Sequence, residues 1–209
     1  MVNTLTENAY FRLDDLQASE VMGFPIPADW WSRVYEYPWA LQYAAPGLVV
    51  ADMGAGWQFR PFKNALAQVC EKVYAVDWGT GLLEQETYPN MELVVDGLTH
   101  RIQAIPEGSL DRVFCISVLE ELGADIPLAL AEFYTCLKPG GLCVLTLDMC
   151  YDTYKPMPSF PGVDMYDFIN WILPTGFRMR EPFTTTKDEA VINEAFNLCV
   201  YHCVLERPA

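Results

Sequence analysis

The chain has 209 residues, 52% of them hydrophobic, and 28 acidic against 13 basic side chains give a formal net charge of −15. This length and apolar content can bury a substantial core and exclude a disordered chain; the simplest expectation is one domain over residues 1–209. The acidic excess, with no Lys/Arg run, excludes a nucleic-acid backbone as the main partner, and no apolar run approaches the ~20 residues that span a bilayer.

The first seven residues lack the basic flank and apolar stretch of a secretory leader. Seven cysteines, odd in number, without a Cys-x-x-Cys pair and mostly inside apolar segments, are expected to be reduced core thiols of a cytoplasmic protein with no metal site. In chain order, residues 8–21 are read as a short helix, followed by a loop through Gly23, Pro25 and Pro27. Trp30, Trp31 and Trp39 then crowd one segment, where Pro38 is expected to bend the chain at Tyr37 and open a new helix to Ala45, making residues 1–47 an aromatic lid. Arg33, a guanidinium amid these rings, calls for an acidic or carboxylate partner.

The run Leu48-Val49-Val50-Ala51-Asp52-Met53-Gly54-Ala55-Gly56 is expected to be a buried strand that breaks into a ligand-binding turn, because alternate glycines let backbone approach a ligand closely. A helix spaced over 59–70 follows, then the strand Lys72–Asp77, whose terminal acid lies about 20 residues beyond the glycines, the spacing of a ribose-binding carboxylate. Strands over 91–97, 111–118 and 142–148 follow, with a helix between the last two that Asp125 caps and Pro127 opens. Strands ending in Asp52, Asp77 and Asp96 line up carboxylates along one edge of a parallel sheet, where open α/β folds bind ligands.

Ala51-Asp52-x-Gly54-x-Gly56, Tyr74-Ala75-Val76-Asp77, Asp96-Gly97, Ser117-Val118-Leu119-Glu120 and Leu137-Lys138-Pro139-Gly140-Gly141 together resemble a class I S-adenosylmethionine-dependent methyltransferase of the small bacterial, type-11-like kind. The resemblance covers about residues 48–148 in the family's order, and a dehydrogenase would want a further glycine at Phe59. It implies an α/β, Rossmann-like, doubly wound, seven-stranded and mostly parallel sheet with an antiparallel C-terminal hairpin strand, here from 176–180 and 197–205. Residues 48–148 would then be the cofactor-binding core and 149–209 the substrate-side insertion and hairpin, with a proline-rich loop at Pro156, Pro158 and Pro161 before a helix over 163–173.

By the same resemblance, Gly54, Ala55 and Gly56 would lie against the methionine part of S-adenosylmethionine, with Asp52 near its amino group and Ser117 closing that end. Asp77 would take the ribose hydroxyls, Trp78 would flank the adenine, and Asp96, Gly97 and Leu98 would read its edge. Ser32-Arg33-x-x-Glu36-Tyr37-Pro38-Trp39 resembles a segment of some small bacterial members, which makes Arg33 the candidate for the cofactor carboxylate and Tyr37 a residue of the same cleft. Where many relatives carry a histidine, this chain has Glu121: either a general base, if burial raises its pKa, or a solvated residue. His202 reads as core packing and His100 as a loop residue. The implied reaction is methyl transfer to a small or medium-sized acceptor, leaving S-adenosylhomocysteine; a scaffold that keeps the fold without turnover is the alternative. Trp30, Trp31, Tyr35, Tyr151 and Tyr154 can line an apolar or cation-attracting pocket, and the acidic charge admits an amine, with oxygen, carbon and sulfur nucleophiles open.

Overall fold

A computed structural model describes residues 7–56, 61–85, 87–152 and 162–209. The strands in chain order are β1 (Ala9–Tyr10), β2 (Glu20–Val21), β3 (Phe24–Pro25), β4 (Val49–Met53), β5 (Lys72–Asp77), β6 (Met91–Val95), β7 (Leu110–Ile116), β8 (Leu137–Cys150), β9 (Arg178–Met179), β10 (Ile192–Asn193) and β11 (Leu198–Glu206). The helices are α1 (Arg33–Leu41), α2 (Phe62–Val69), α3 (Ile126–Cys136) and α4 (Met165–Ile172).

One sheet runs β1-β11-β8-β7-β4-β5-β6. Strands β4 to β8 are mutually parallel, and β11 lies antiparallel along β8 from Leu198 opposite Cys150 to Glu206 opposite Leu142. This is the Rossmann-like, mostly parallel sheet with an antiparallel C-terminal strand that the sequence led us to expect. It has nine strands rather than seven: β9 is the expected hairpin partner of β11, and two more two-residue strands, β1 and β10, also pair with β11.

Apolar runs form the central strands because both faces are covered. Ala51, Cys115 and Leu145 point into a cluster with Phe133 of α3 and Phe168 of α4, while their neighbours Val50, Phe114 and Val144 point the other way, against Phe62 and Leu66 of α2 and Trp39 of α1. The chain moves from β4 to β5 on one side and to β7 on the other, so the strand order reverses at β4 and leaves a crevice at the carboxyl ends. Among the described residues, no helix is long and apolar enough to cross a membrane.

Two N-terminal expectations are corrected. Residues 8–21 form no helix: β1 pairs with β11, Ala9 opposite His202 and Tyr10 opposite Tyr201, and backbone bonds from Phe11 to Val200 and from Val191 to Phe11 continue the seam. Pro38 does not divide the next helix, since α1 runs through it. The imide nitrogen of Pro38 cannot bond the Val34 carbonyl one turn back; that carbonyl accepts from the Ala18 N–H at 2.9 Å, which ties the N-terminal segment to α1. Asp125 and Pro127 hold the expected places at the start of α3, and Asp164 caps α4 by accepting from the Tyr166 N–H at 2.8 Å. The Phe59 helix start, Tyr154 and the loop prolines Pro156, Pro158 and Pro161 lie outside the described residues.

Candidate active site

A cleft of about 580 Å³ opens at the carboxyl ends of β4, β5, β6 and β7. Gly54 and Gly56 form its floor, with Asp77, Trp78, Asp96, Gly97 and Leu98 on one side and Val118, Glu121 and Leu122 on the other. The volume falls within the usual range of small-molecule sites, about 300–1,000 Å³.

Local geometry explains the glycine turn. Gly54 and Gly56 adopt φ of +84° and +81°, and a side chain on Gly54 would collide with the methyls of Val118. The Gly54 and Ala55 N–H groups donate to the Val76 carbonyl at 2.8 and 2.9 Å, folding the turn back over β5. Asp77 clamps it: one carboxylate oxygen accepts from the Gly56 N–H at 2.9 Å, the other from the Gly79 N–H at 3.0 Å. Lys63, buried on α2, and Gln85 brace the same turn by donating to the Ala55 and Gly56 carbonyls. Sequence reasoning passed over both, since neither falls in a motif.

Trp78 stands at the rim, 74% exposed, a large aromatic face open to the cleft. Asp96 Oδ1 accepts from the Gly97 N–H at 2.9 Å and contacts His100 Nε2 at 2.7 Å, so the loop carrying Gly97 and Leu98 is stapled to the end of β6. His100 therefore has a partner on the cleft wall, which a reading as a variable-loop residue missed. His202 is core, as expected: it packs 4.5 Å from Phe11 and 4.6 Å from Trp39 by ring centroid, and burial pushes its pKa down to about 4.

Beside the cleft lies a buried polar cluster. Arg33 Nη1 donates to Glu36 Oε2 at 2.5 Å, with the Glu36 carboxylate fully buried and Arg33 14% exposed. The other Glu36 oxygen accepts from the Ser117 hydroxyl at 2.5 Å and the Thr146 hydroxyl at 2.6 Å. Burial opposes the charge on Arg33, but Glu36 outweighs it and holds the guanidinium firmly protonated. Arg33 thus finds its acid within the chain, and Nη2 reaches the Ser117 carbonyl at 3.4 Å. Ser117 takes a left-handed backbone, φ 45°, strained for a residue with a Cβ and held by these bonds.

Glu120 and Asp148 complete the cluster. Glu120 Oε1 accepts from the Asp148 N–H at 3.2 Å. Burial, then the neighbouring acids Asp148 for Glu120 and Glu36 for Asp148, raises both carboxyls, Asp148 to about 7.

Several expected site residues do not reach the cleft wall. Tyr37 is buried, its ring stacked on Phe62 with centroids 5.1 Å apart, because the continuous α1 turns that face toward α2. Tyr35 packs against Phe11. Asp52, Ala55 and Ser117 are buried behind the glycine turn and the end of β7. Glu121 lines the cleft and is exposed there, which matches its reading as a solvated residue. The buried acid is its neighbour Glu120.

Fold and cleft define a doubly wound α/β protein with an open cleft at its topological switch point. Residues 51–145 match the family described as "Methyltransferase domain". The structure is similar to that of an S-adenosylmethionine-dependent methyltransferase from Aquifex aeolicus, at TM-score 0.63 and 17% identity over 84% of this chain and 93% of that one. Another from Mesorhizobium loti gives TM-score 0.62 and 15% identity over 82% and 97%. The [4+2]-cyclase SpnF gives TM-score 0.70 and 10% identity over 98% of this chain and 88% of that one. No curated protein sequence matches the chain. The match to a methyltransferase domain falls on the stretch that carries the motif resemblance, and the solved structures share the fold around it.

Proposed function

We propose that the protein transfers a methyl group from S-adenosylmethionine to a small or medium-sized acceptor. The observation that carries this reading is the convergence of Gly54, Gly56, Asp77, Trp78, Asp96 and Gly97 on one cleft at the switch point of a matched methyltransferase domain. The residues suit the cofactor chemically. Asp77, fixed by two backbone amides, keeps lone pairs for a ribose diol. Trp78 and Leu98 offer surfaces for an adenine, and Asp96 with the Gly97–Leu98 backbone offers donors and acceptors for its edge. The Gly54–Ala55–Gly56 turn, Asp52 and Ser117 are assigned to the methionine end. Arg33 is assigned to its carboxylate through Nε, the guanidinium nitrogen left without a hydrogen bond.

Bound cofactor supplies an electrophilic methyl on a sulfonium. The chain's own work is to hold the acceptor in line with it and exclude water, without a covalent enzyme intermediate. We take the reaction to be cytoplasmic, in keeping with seven free cysteines among the described residues, and the partners to be small molecules rather than nucleic acid or membrane. A second reading, a cofactor-binding protein without methyl transfer, draws support from SpnF, a [4+2]-cyclase of similar fold. Incubation with methyl-labelled cofactor and an acceptor panel separates them. Label transfer supports the first; S-adenosylhomocysteine binding with no transfer to any acceptor supports the second.

A further inference from the structure

Three carboxyls, Glu36, Glu120 and Asp148, surround the single guanidinium of Arg33 at the carboxyl ends of β7 and β8. Glu36 is fully engaged: Arg33 neutralises it and the hydroxyls of Ser117 and Thr146 fill its other oxygen. Glu120 and Asp148 have no such complement. They are 3% and 6% exposed, and Glu120 Oε2 and Asp148 Oδ1 have no hydrogen-bond partner. Two buried acids, each with an oxygen that no described residue fills and with no ion pair among the described residues, are costly to keep unless a further group completes them.

Their position gives the ligand a direction. Thr146 and Asp148 follow Leu142 and Val144 on the α1 side of β8, and Thr146 reaches Glu36 of α1, so Asp148 faces the same layer. Glu120 lies in the turn after β7 between Val118 and Glu121, both on the cleft wall, and the Glu121 charge is felt at Asp148. A group that completes both oxygens donates hydrogen bonds, and a cationic donor also offsets the charge when the acids are ionised. Among the described residues no three His, Cys, Asp or Glu side chains converge closely enough to share a metal ion, and two carboxyl oxygens suit an organic cation with several N–H donors. An ammonium offers three N–H donors on one atom, enough for both empty oxygens.

Resting on the methyltransferase reading above, we propose that Glu120 and Asp148 seat the acceptor, and that the acceptor is an amine that binds as its ammonium. Before transfer, the ammonium gives a proton to the Asp148 carboxylate, which frees the nitrogen lone pair. That pair forms the new bond to the methyl carbon while the carbon–sulfur bond breaks and its electrons stay on sulfur as a neutral thioether. The product leaves as a methylated ammonium, and the proton held by Asp148 passes to solvent. Two cations enter; one cation and one proton leave. The carboxyl of Asp148, raised to about 7, is matched to taking and returning a proton near neutral pH.

The test is a calorimetric titration of protein loaded with S-adenosylhomocysteine, using butyl-, benzyl- and phenethylammonium and the three corresponding alcohols. At least one ammonium should bind about 10-fold or more tightly than its alcohol, with a proton released on binding, seen as a dependence of the heat on buffer ionisation. In Glu120→Gln and Asp148→Asn that preference should fall about 10-fold while S-adenosylhomocysteine affinity stays within about 3-fold. Each isosteric amide removes an uncompensated buried acid and should melt at or above the wild-type temperature; if one variant fails to fold, the other carries the comparison. Alcohols binding as well as ammoniums throughout, or an ammonium preference that survives the substitutions, overturns the inference. Failure of S-adenosylhomocysteine to load overturns the methyltransferase reading instead.

Discussion

Arg33 and Glu36 form a buried pair in which neither member is dispensable. Arg33→Ala would leave the Glu36 carboxylate with hydroxyl donors alone, and breaking a buried pair by removing one partner costs about 3–5 kcal/mol. Urea unfolding should show that loss, and wild-type stability would mean that the pair does not hold the segment. Two other residues set opposed pH dependences. His202 falls from 6.5 in the unfolded chain to about 4 in the folded one, so between those values only the unfolded chain binds the proton. Its contribution to stability is present above pH 6.5 and is lost on acidification, by about 3 kcal/mol. Asp148 rises from 3.8 to about 7, so the folded chain keeps a proton that the unfolded chain sheds, and stability declines as pH rises through that window. Urea unfolding between pH 4 and 6.5 should therefore show stability rising more steeply with pH in Asp148→Asn than in wild type. His202→Gln should show the reverse trend, and identical slopes in all three proteins would contradict both assignments. At this scale the sequence displayed Glu120-Glu121 but not which acid turns inward. That choice is made by the turn after β7, where Glu120 meets the Asp148 N–H from a strand 28 residues on.

The central elements were legible because their signals are local. Apolar runs of strand length end in acids, Asp125 and Pro127 mark where α3 begins, and the Lys138-Pro139-Gly140-Gly141 corner marks its end, although it falls within β8, which starts at Leu137 rather than at Leu142. The N-terminal segment was not, because what organises it lies nearly the whole chain away. The edge of β11 offers unpaired backbone groups, and residues 8–11 take an extended form to satisfy them, overriding any local helical preference. Asn8 splices the seam: its side-chain oxygen accepts from the Val204 N–H at 2.9 Å, and its amide donates to the Glu181 carbonyl at 2.6 Å. Asn8→Ala would strand both groups and should destabilise the protein by about 2 kcal/mol or more in urea unfolding. A change below about 0.5 kcal/mol would show that water replaces the side chain freely.

Across the whole molecule, the strand order turns scattered motifs into one site. Gly54 and Gly56, Asp77 and Trp78, residues 96–98, and Val118, Glu121 and Leu122 are far apart in sequence, yet four strand ends bring them to a single cleft. Their spacing made most of the cleft lining readable in advance. The buried polar cluster beside it was not readable, because it depends on long-range contacts among α1, β7 and β8 rather than on a motif. The net charge of −15 fits a site whose buried acids outnumber its bases and favours approach of cations over anions. The central claim is that Asp77 and its neighbours hold S-adenosylmethionine, and the most direct measurement is calorimetric titration of S-adenosylhomocysteine into the wild type and Asp77→Asn. One molecule should bind per chain, and the substitution should weaken binding by about 10- to 100-fold, the loss of charge-assisted hydrogen bonds. No binding to the wild type, or equal binding to both proteins, would contradict the account.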